Sequence, residues 1–134
     1  MKGSYILLIK LNNDQEIEIG KLGKISFKKG FYLYIGSALN GLENRLNRHF
    51  KEYKKTHWHI DYLLKYGKII DAFYKESSFK EECDIVKNFE NKLLSIPDFG
   101  CSDCKCKSHL FYGDKPKIFD NLDLSYFTIY KVYS

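Results

Sequence analysis

An apolar, β-branched run opens the chain and reads as a strand. In Gly3 to Leu11 (GSYILLIKL), residues Tyr5, Leu7, Ile9 and Leu11 fall on one side of an extended segment, and Ile6 and Leu8 on the other, because successive strand side chains point to opposite faces. Both faces are apolar, which predicts a central strand covered on both sides. Asn12-Asn13-Asp14 is a turn signal. Glu16 to Ile19 then alternates charge with isoleucine as an exposed strand would, and Gly20, Gly23 and Lys28-Lys29-Gly30 punctuate a second short element. Residues 12 to 29 therefore read as a β excursion joining outer strands. Phe31 to Ile35 is the next strand, with Phe31, Leu33 and Ile35 on a core face and Tyr32, Tyr34 and Gly36 on the other. Aromatics are common in strands, so either tyrosine taken alone is more simply packing than chemistry.

The period then changes. Leu42, Leu46 and Phe50 recur every fourth position, predicting a helix from Asn40 or Gly41 to about Tyr53. Arg45 and His49 share the same spacing and stack on one flank of it. Lys51 to Lys55 forms a basic end that suits the helix dipole as well as it suits DNA. His57 to Leu64 (HWHIDYLL) predicts a short helix with Thr56 as N-cap. Its two histidines and Asp61 fit either a metal site or a surface hydrogen-bond cluster. Lys68 to Lys75 is another strand. The longest helix is expected at Phe79 to Ser95, capped by Ser77 or Ser78, with an inward stripe of Val86, Phe89 and Leu93 that steps back onto Glu82. A carboxylate at a partly buried position is costly unless it meets a cation, a metal or several donors. The plainer reading is a boundary glutamate whose stem covers the core. Phe111-Tyr112 and Tyr126 to Tyr133 read as strands, the last at an edge. The elements add up to an α/β chain of the α+β kind, a small, mainly antiparallel central sheet flanked by helices.

Composition narrows the class. With 134 residues, 44% of them hydrophobic, the chain suffices for one domain with a real core. No apolar run approaches the roughly 18 residues of a membrane span, and Tyr5 to Ile9 is too short for a secretory signal. A cytoplasmic protein with no membrane partner is therefore expected. The net charge of +5 favours an anionic partner. Of 22 basic residues only Arg45 and Arg48 are arginines, the type whose planar fork best matches phosphate.

Four cysteines without an export signal suggest thiols or metal ligands before disulfides. Cys101, Cys104, Cys106 and His109 offer four soft ligands, with Cys83 able to replace Cys101. The spacing lacks two separated knuckles, so structural zinc is the lesser expectation beside thiols packing the loop onto the long helix, or a disulfide.

Taken in order, Gly3-Ser4-Tyr5, Tyr34-Ile35-Gly36, Arg45, His49 and Glu82 resemble the GIY-YIG nuclease superfamily, with serine in place of the isoleucine of the first triplet. More closely, the chain looks like the Uri-type branch, a domain of unknown function found alone or beside endonuclease III. That branch carries an HWHIDYLL segment, Glu-Cys on the long helix and an SDCxCxSHLF tail, matched here by His57 to Leu64, Glu82-Cys83 and Ser102 to Phe111. The resemblance implies a nuclease domain over residues 3 to 112, with a C-terminal extension, 113 to 134, packed on the same domain. It implies a divalent-metal-dependent DNA endonuclease, structure- or damage-directed in repair, with DNA and a repair protein as partners. Glu82 would hold a single Mg²⁺ or Mn²⁺, and Arg45 would clamp the phosphate. One tyrosine would activate the water, Tyr5 being favoured as base and Tyr34 for positioning the phosphate. His49 would relay a proton or orient the water. Arg48, Lys51, Lys54 and Lys55 are the expected DNA contacts, with Gly36, His57, His59 and Ser108 as support. The gap between the two triplets is longer than in the better-known members, and the asparagine that follows their metal-binding helix has no counterpart, leaving Ser108 or His109 in its place. Two rivals stand beside this reading: a non-catalytic nucleic-acid-binding module of the same fold, and a small zinc-stabilised interaction protein.

Overall fold

A computed structural model describes residues 2–38, 40–52, 54–78, 81–90, 92–101, 106–115 and 124–130. In chain order the elements are β1 (Gly3–Leu11), β2 (Gln15–Glu18), a 3-10 turn (Gly20–Leu22), β3 (Lys24–Phe27), β4 (Gly30–Ala38), α1 (Leu42–Phe50), α2 (His59–Leu63), β5 (Lys68–Glu76), α3 (Glu82–Glu90), β6 (Leu94–Ser95), β7 (Leu110–Gly113) and β8 (Thr128–Ile129). Six strands form one sheet in the order β6-β7-β4-β1-β5-β8, every neighbouring pair antiparallel, while β2 and β3 pair separately. The fold is α+β. Among the described residues no helix is long and apolar enough to cross a membrane.

The two-sided apolar pattern of β1 has its explanation in this order. Tyr5, Leu7, Ile9 and Leu11 enter a core with Leu42 and Leu46 of α1 and Ile60 and Leu63 of α2. Ile6 enters a second core with Leu33 and Ile35 of β4, Val86 and Phe89 of α3 and Phe111 of β7. Helices α1 and α2 thus cover one face of the sheet and α3 the other. Each fully buried leucine or isoleucine contributes about 1.5–3 kcal/mol, so the layers hold by burial on both sides of one strand.

Several elements differ from the expectation. The excursion between β1 and β4 joins two central neighbours, not outer strands. Its isoleucines Ile17 and Ile19 are buried on the α1 side of the sheet, leaving Glu16 and Glu18 outward. Helix α1 starts after Gly41, which sits in the left-handed region at φ 70°, and it stops at Phe50. There Lys51 turns extended and the Lys54 ammonium donates to the carbonyls of His49 and Lys51; Tyr53 lies outside the described residues. Trp58, not Thr56, caps α2, because the Asp61 carboxylate accepts the backbone N–H groups of His57 and Trp58.

Helix α3 is shorter than its periodicity implied. Its last turn closes on the Phe89 carbonyl, and the chain re-emerges as β6, paired to β7; Phe79 lies outside the described residues. The final strand is brief. Thr128–Ile129 pairs with β5, the Tyr130 N–H donates to the Ala72 carbonyl, and the Tyr130 hydroxyl donates to Asn47 of α1. Residues 131–133, expected in that strand, lie outside the described residues.

Candidate active site

Strand pairing brings the two triplets side by side: Tyr5 of β1 lies opposite Gly36 of β4. A β-carbon at Gly36 would stand 2.4 Å from the Tyr5 phenol oxygen, and one at Gly3 would stand 2.1 Å from the Lys75 carbonyl oxygen. Both glycines are therefore required by close approach. The Tyr5 ring points to the α1 face, where its hydroxyl meets His49 Nε2 at 2.7 Å. Buried Leu42 and Leu46 seat α1 on the sheet and so place His49, one turn beyond Arg45. Tyr34 completes the group, its ring centroid 6.3 Å from Tyr5 and 6.4 Å from His49.

All three side chains are buried, and burial dominates their proton affinities. It pushes Tyr5 up to about 12, although the adjacent Arg45 guanidinium favours the phenolate; Asp61 and Glu82 add to the rise. Tyr34 is raised well above the usual tyrosine value, again by burial. Burial lowers His49 to about 3, opposed by Asp61 and reinforced by Lys54, Arg45 and Arg48. At neutral pH the pair is thus a phenol against a neutral imidazole. When Tyr5 donates to Nε2, the ring proton sits on Nδ1, which is buried with no hydrogen-bond partner among the described residues.

The two arginines have distinct jobs. Arg45 Nη1 donates to the Ser37 carbonyl at 3.0 Å, and its guanidinium lies 4.3 Å from the Trp58 ring centroid. Arg48 also lies against Trp58, at 4.4 Å, but it donates through both terminal nitrogens to Asp61, at 2.9 and 3.0 Å, and to the Lys55 carbonyl. Burial acts to raise the Asp61 carboxyl, but hydrogen bonds from Arg48, Trp58 and His57 outweigh it and hold the group below its usual range. Trp58 and Asp61 are the residues that the sequence reading did not single out for this purpose. Their signal was an aspartate just after the cap of a short helix, in a chain with only two arginines.

The other expected contacts divide. Arg48 turns inward to Asp61, and Lys54 caps α1, whereas Lys51 and Lys55 are exposed. His57 is exposed, and the nearby His59 Nδ1 accepts the Gly100 N–H at 2.8 Å. Neither joins Asp61 in a metal cluster; the aspartate is buried under Arg48. The Ser108 hydroxyl exchanges hydrogen bonds with Leu110, and His109 Nδ1 faces the Ile35 carbonyl at 3.1 Å.

Glu82, the first residue of α3, is buried, and its Oε2 has no hydrogen-bond partner among the described residues. The start of α3 is pinned by an ion pair between Glu81 and Lys75 at 3.0 Å. Lys75 lies opposite Ser4 across β1 and β5, and the Ser4 hydroxyl is likewise buried with no hydrogen-bond partner among the described residues. Glu82 therefore reaches this end of the sheet from the α3 face, while Tyr5, Tyr34 and His49 occupy the α1 face, and its charge is still felt at Tyr5. A lone carboxylate oxygen at a helix N-terminus fits a hard divalent cation whose remaining ligands are water and phosphate.

Elsewhere, Cys83, Cys106 and His109 each place a donor atom within 4.8 Å of the others. Cys101 instead donates to the Phe99 carbonyl, and Cys104 lies outside the described residues. A cleft of about 420 Å³ at the opposite end of β1 and β4, lined by Lys10, Lys28, Lys29, Asp14, Asp114 and Tyr112, mixes both charges and holds none of the candidate catalytic residues.

The chain belongs to the family described as Domain of unknown function DUF123, which it matches over residues 4–128. No curated protein and no solved structure matches it significantly.

Proposed function

From a chain whose family has no stated activity, we propose a divalent-metal-dependent DNA endonuclease that hydrolyses phosphodiester bonds in structured or damaged DNA. One observation carries the reading: a buried phenol and imidazole 2.7 Å apart, with Arg45 beside them. Packing alone does not call for a titratable pair in a dry core, where each polar group is costly. Hydrolysis does call for it, because the attacking water must lose a proton next to an anion.

In this mechanism Arg45, steadied by Ser37 and Trp58, turns its remaining N–H groups to the phosphate. The Tyr34 hydroxyl donates to a second phosphate oxygen. The Tyr5 oxygen takes the water proton as its own proton passes to His49 Nε2, so His49 ends as imidazolium and Tyr5 returns to phenol. Asp61, whose charge already favours the imidazolium, steadies that state. A divalent cation held by Glu82 would supply Lewis-acid neutralisation of the phosphate and the leaving oxygen. Exposed Lys51 and Lys55 would meet the DNA backbone and set position rather than sequence. So small a domain has little surface for reading a long site, which favours recognition of DNA structure.

The test incubates the purified chain with plasmid and with nicked, flapped and abasic duplexes in Mg²⁺, Mn²⁺ or EDTA. Metal-dependent cleavage that disappears in Glu82→Ala and Tyr5→Phe is expected. Binding without cleavage in any metal would replace the enzyme with a non-catalytic DNA-binding module.

A further inference from the structure

The cluster of Cys83, Cys106 and His109 lies outside the proposed catalytic group, and its geometry points to a zinc site. We propose that the two thiolates and the His109 imidazole bind one Zn²⁺, which ties the start of α3 to β4 and β7. Several observations support it. One donor atom of each residue lies within 4.8 Å of the other two, and tetrahedral zinc with bonds of about 2.0–2.3 Å spaces its ligands by roughly 3.5–3.8 Å. The three side chains need close by only about 1 Å to coordinate. The histidine is already oriented: its Nδ1 faces the Ile35 carbonyl at 3.1 Å. A carbonyl only accepts, so Nδ1 carries the proton and Nε2 keeps the lone pair, the backing that metal-bound histidines usually have.

The chemistry of the donors selects the ion. Two sulfurs and one imidazole suit zinc and exclude magnesium or calcium, which take oxygen ligands. Cys83 is the second residue of α3, where the helix dipole favours a thiolate. The surroundings are enclosed, with His109 buried and both cysteines half-buried. Three ligands among the described residues leave a fourth coordination position.

The placement gives the ion a purpose. Cys83 follows Glu82 directly, and the Ile35 carbonyl belongs to the Tyr34-Ile35-Gly36 triplet. Zinc here would fix the carboxylate of α3 relative to β4 at the end of the sheet where the site lies. It is a positioning ion, chemically distinct from a hard cation at Glu82, and its presence does not depend on nuclease activity.

Elemental analysis of the full chain, purified without chelator, tests the proposal. About one zinc per chain is expected, falling below about 0.2 in Cys83→Ser, Cys106→Ser and His109→Gln, while Cys101→Ser and Glu82→Ala retain it. Substitution of Co²⁺ into the wild-type chain should give the visible bands of a tetrahedral ion and sulfur-to-cobalt charge transfer, a readout that survives even if the variants fail to fold. Zinc below about 0.1 per chain after incubation with excess metal, or a cobalt spectrum without thiolate charge transfer, would overturn the proposal. So would a folded Cys83→Ser that retains zinc. A chain that holds zinc but cuts no DNA leaves the zinc site standing and refutes only the nuclease reading.

Discussion

Gly36 stands directly across from Tyr5, and any side chain at Gly36 would collide with the phenol that meets His49. Its backbone does not need a glycine, because its φ lies outside the left-handed region; the Tyr5 ring does. Gly36→Ala should push the ring away from His49 and destabilise the fold by about 1–3 kcal/mol through overpacking. Cleavage should fall by more than about tenfold, the equivalent of 1.4 kcal/mol in the barrier. Urea denaturation and cleavage rates check both. Wild-type activity in Gly36→Ala would show that the ring need not be held there.

Trp58 links the two arginines, its ring within 4.4 Å of both guanidiniums. Each such contact is worth about 0.5–2 kcal/mol, depending on how dry the site is. Trp58→Ala should leave Arg45 held only by Ser37, slow cleavage by about tenfold and weaken binding of a short duplex, whereas Trp58→Phe should retain most of both. Equal loss in the two variants would mean that the indole's bulk, not its ring face, is what counts.

Asp61 is nearly inaccessible and takes both arms of Arg48 as well as two backbone N–H groups. Asp61→Asn leaves a guanidinium without its counter-charge and should cost about 3 kcal/mol. Because Arg48 is partly exposed, Arg48→Met in the same chain should recover part of that loss, which thermal melts of the single and double variants would measure. The folded carboxyl lies below its unfolded value of 3.8, so its stabilising share is present above that pH and is lost as pH falls through the folded value.

His49 gives a second, separate pH window. Its unfolded value is 6.5 and its folded value about 3, so between them the unfolded chain binds the extra proton. Stability is therefore full above pH 6.5 and declines as pH falls toward 3, by at most about 1.4 kcal/mol per pH unit from this group. Urea midpoints taken from pH 7 to 4 should show the slope, and His49→Gln should flatten it. An unchanged slope in the variant would assign the acid sensitivity to other groups.

What the sequence disclosed and what it hid follow from the range of the interactions. Strand β1 was legible because a strand covered on both faces must be apolar on both, as Tyr5 to Ile9 is; β4 read with one core face, Phe31, Leu33 and Ile35, and the structure buries Tyr32 and Tyr34 as well. Glu82 was legible because a helical stripe through Val86 and Phe89 can be extended back by one turn, and the structure does bury it. The true end of α3 was not, since Leu94 and Ser95 join β6 only through β7, whose residues arrive later in the chain. Nor was the inward turn of Arg48. Its pairing with Asp61 joins two short helices 13 positions apart, and no periodicity encodes a contact made between elements. The depth of Ile17 and Ile19 was missed for the same reason: alternation tells which side chains share a face, not whether another layer covers it.

In the proposed nuclease, Glu82 sets stability against activity. Its Oε2 is buried without a hydrogen-bond partner among the described residues, and an unsatisfied buried oxygen costs roughly 1–3 kcal/mol, more when charged. The helix N-terminus offsets only about 0.3–1 kcal/mol of that. Without metal, Glu82→Leu should therefore melt higher than the wild-type chain, by about 2–4 °C per kcal/mol for a domain of this size. Adding Mn²⁺ in excess should raise the wild-type melting temperature, because a cation that binds only the folded state stabilises it by mass action, and should leave Glu82→Leu unmoved. Zinc content, if carried by Cys83, Cys106 and His109, should be the same in both. Should the leucine variant melt lower in EDTA, the carboxylate must be anchoring α3, and its place in a metal site would lose its physical basis.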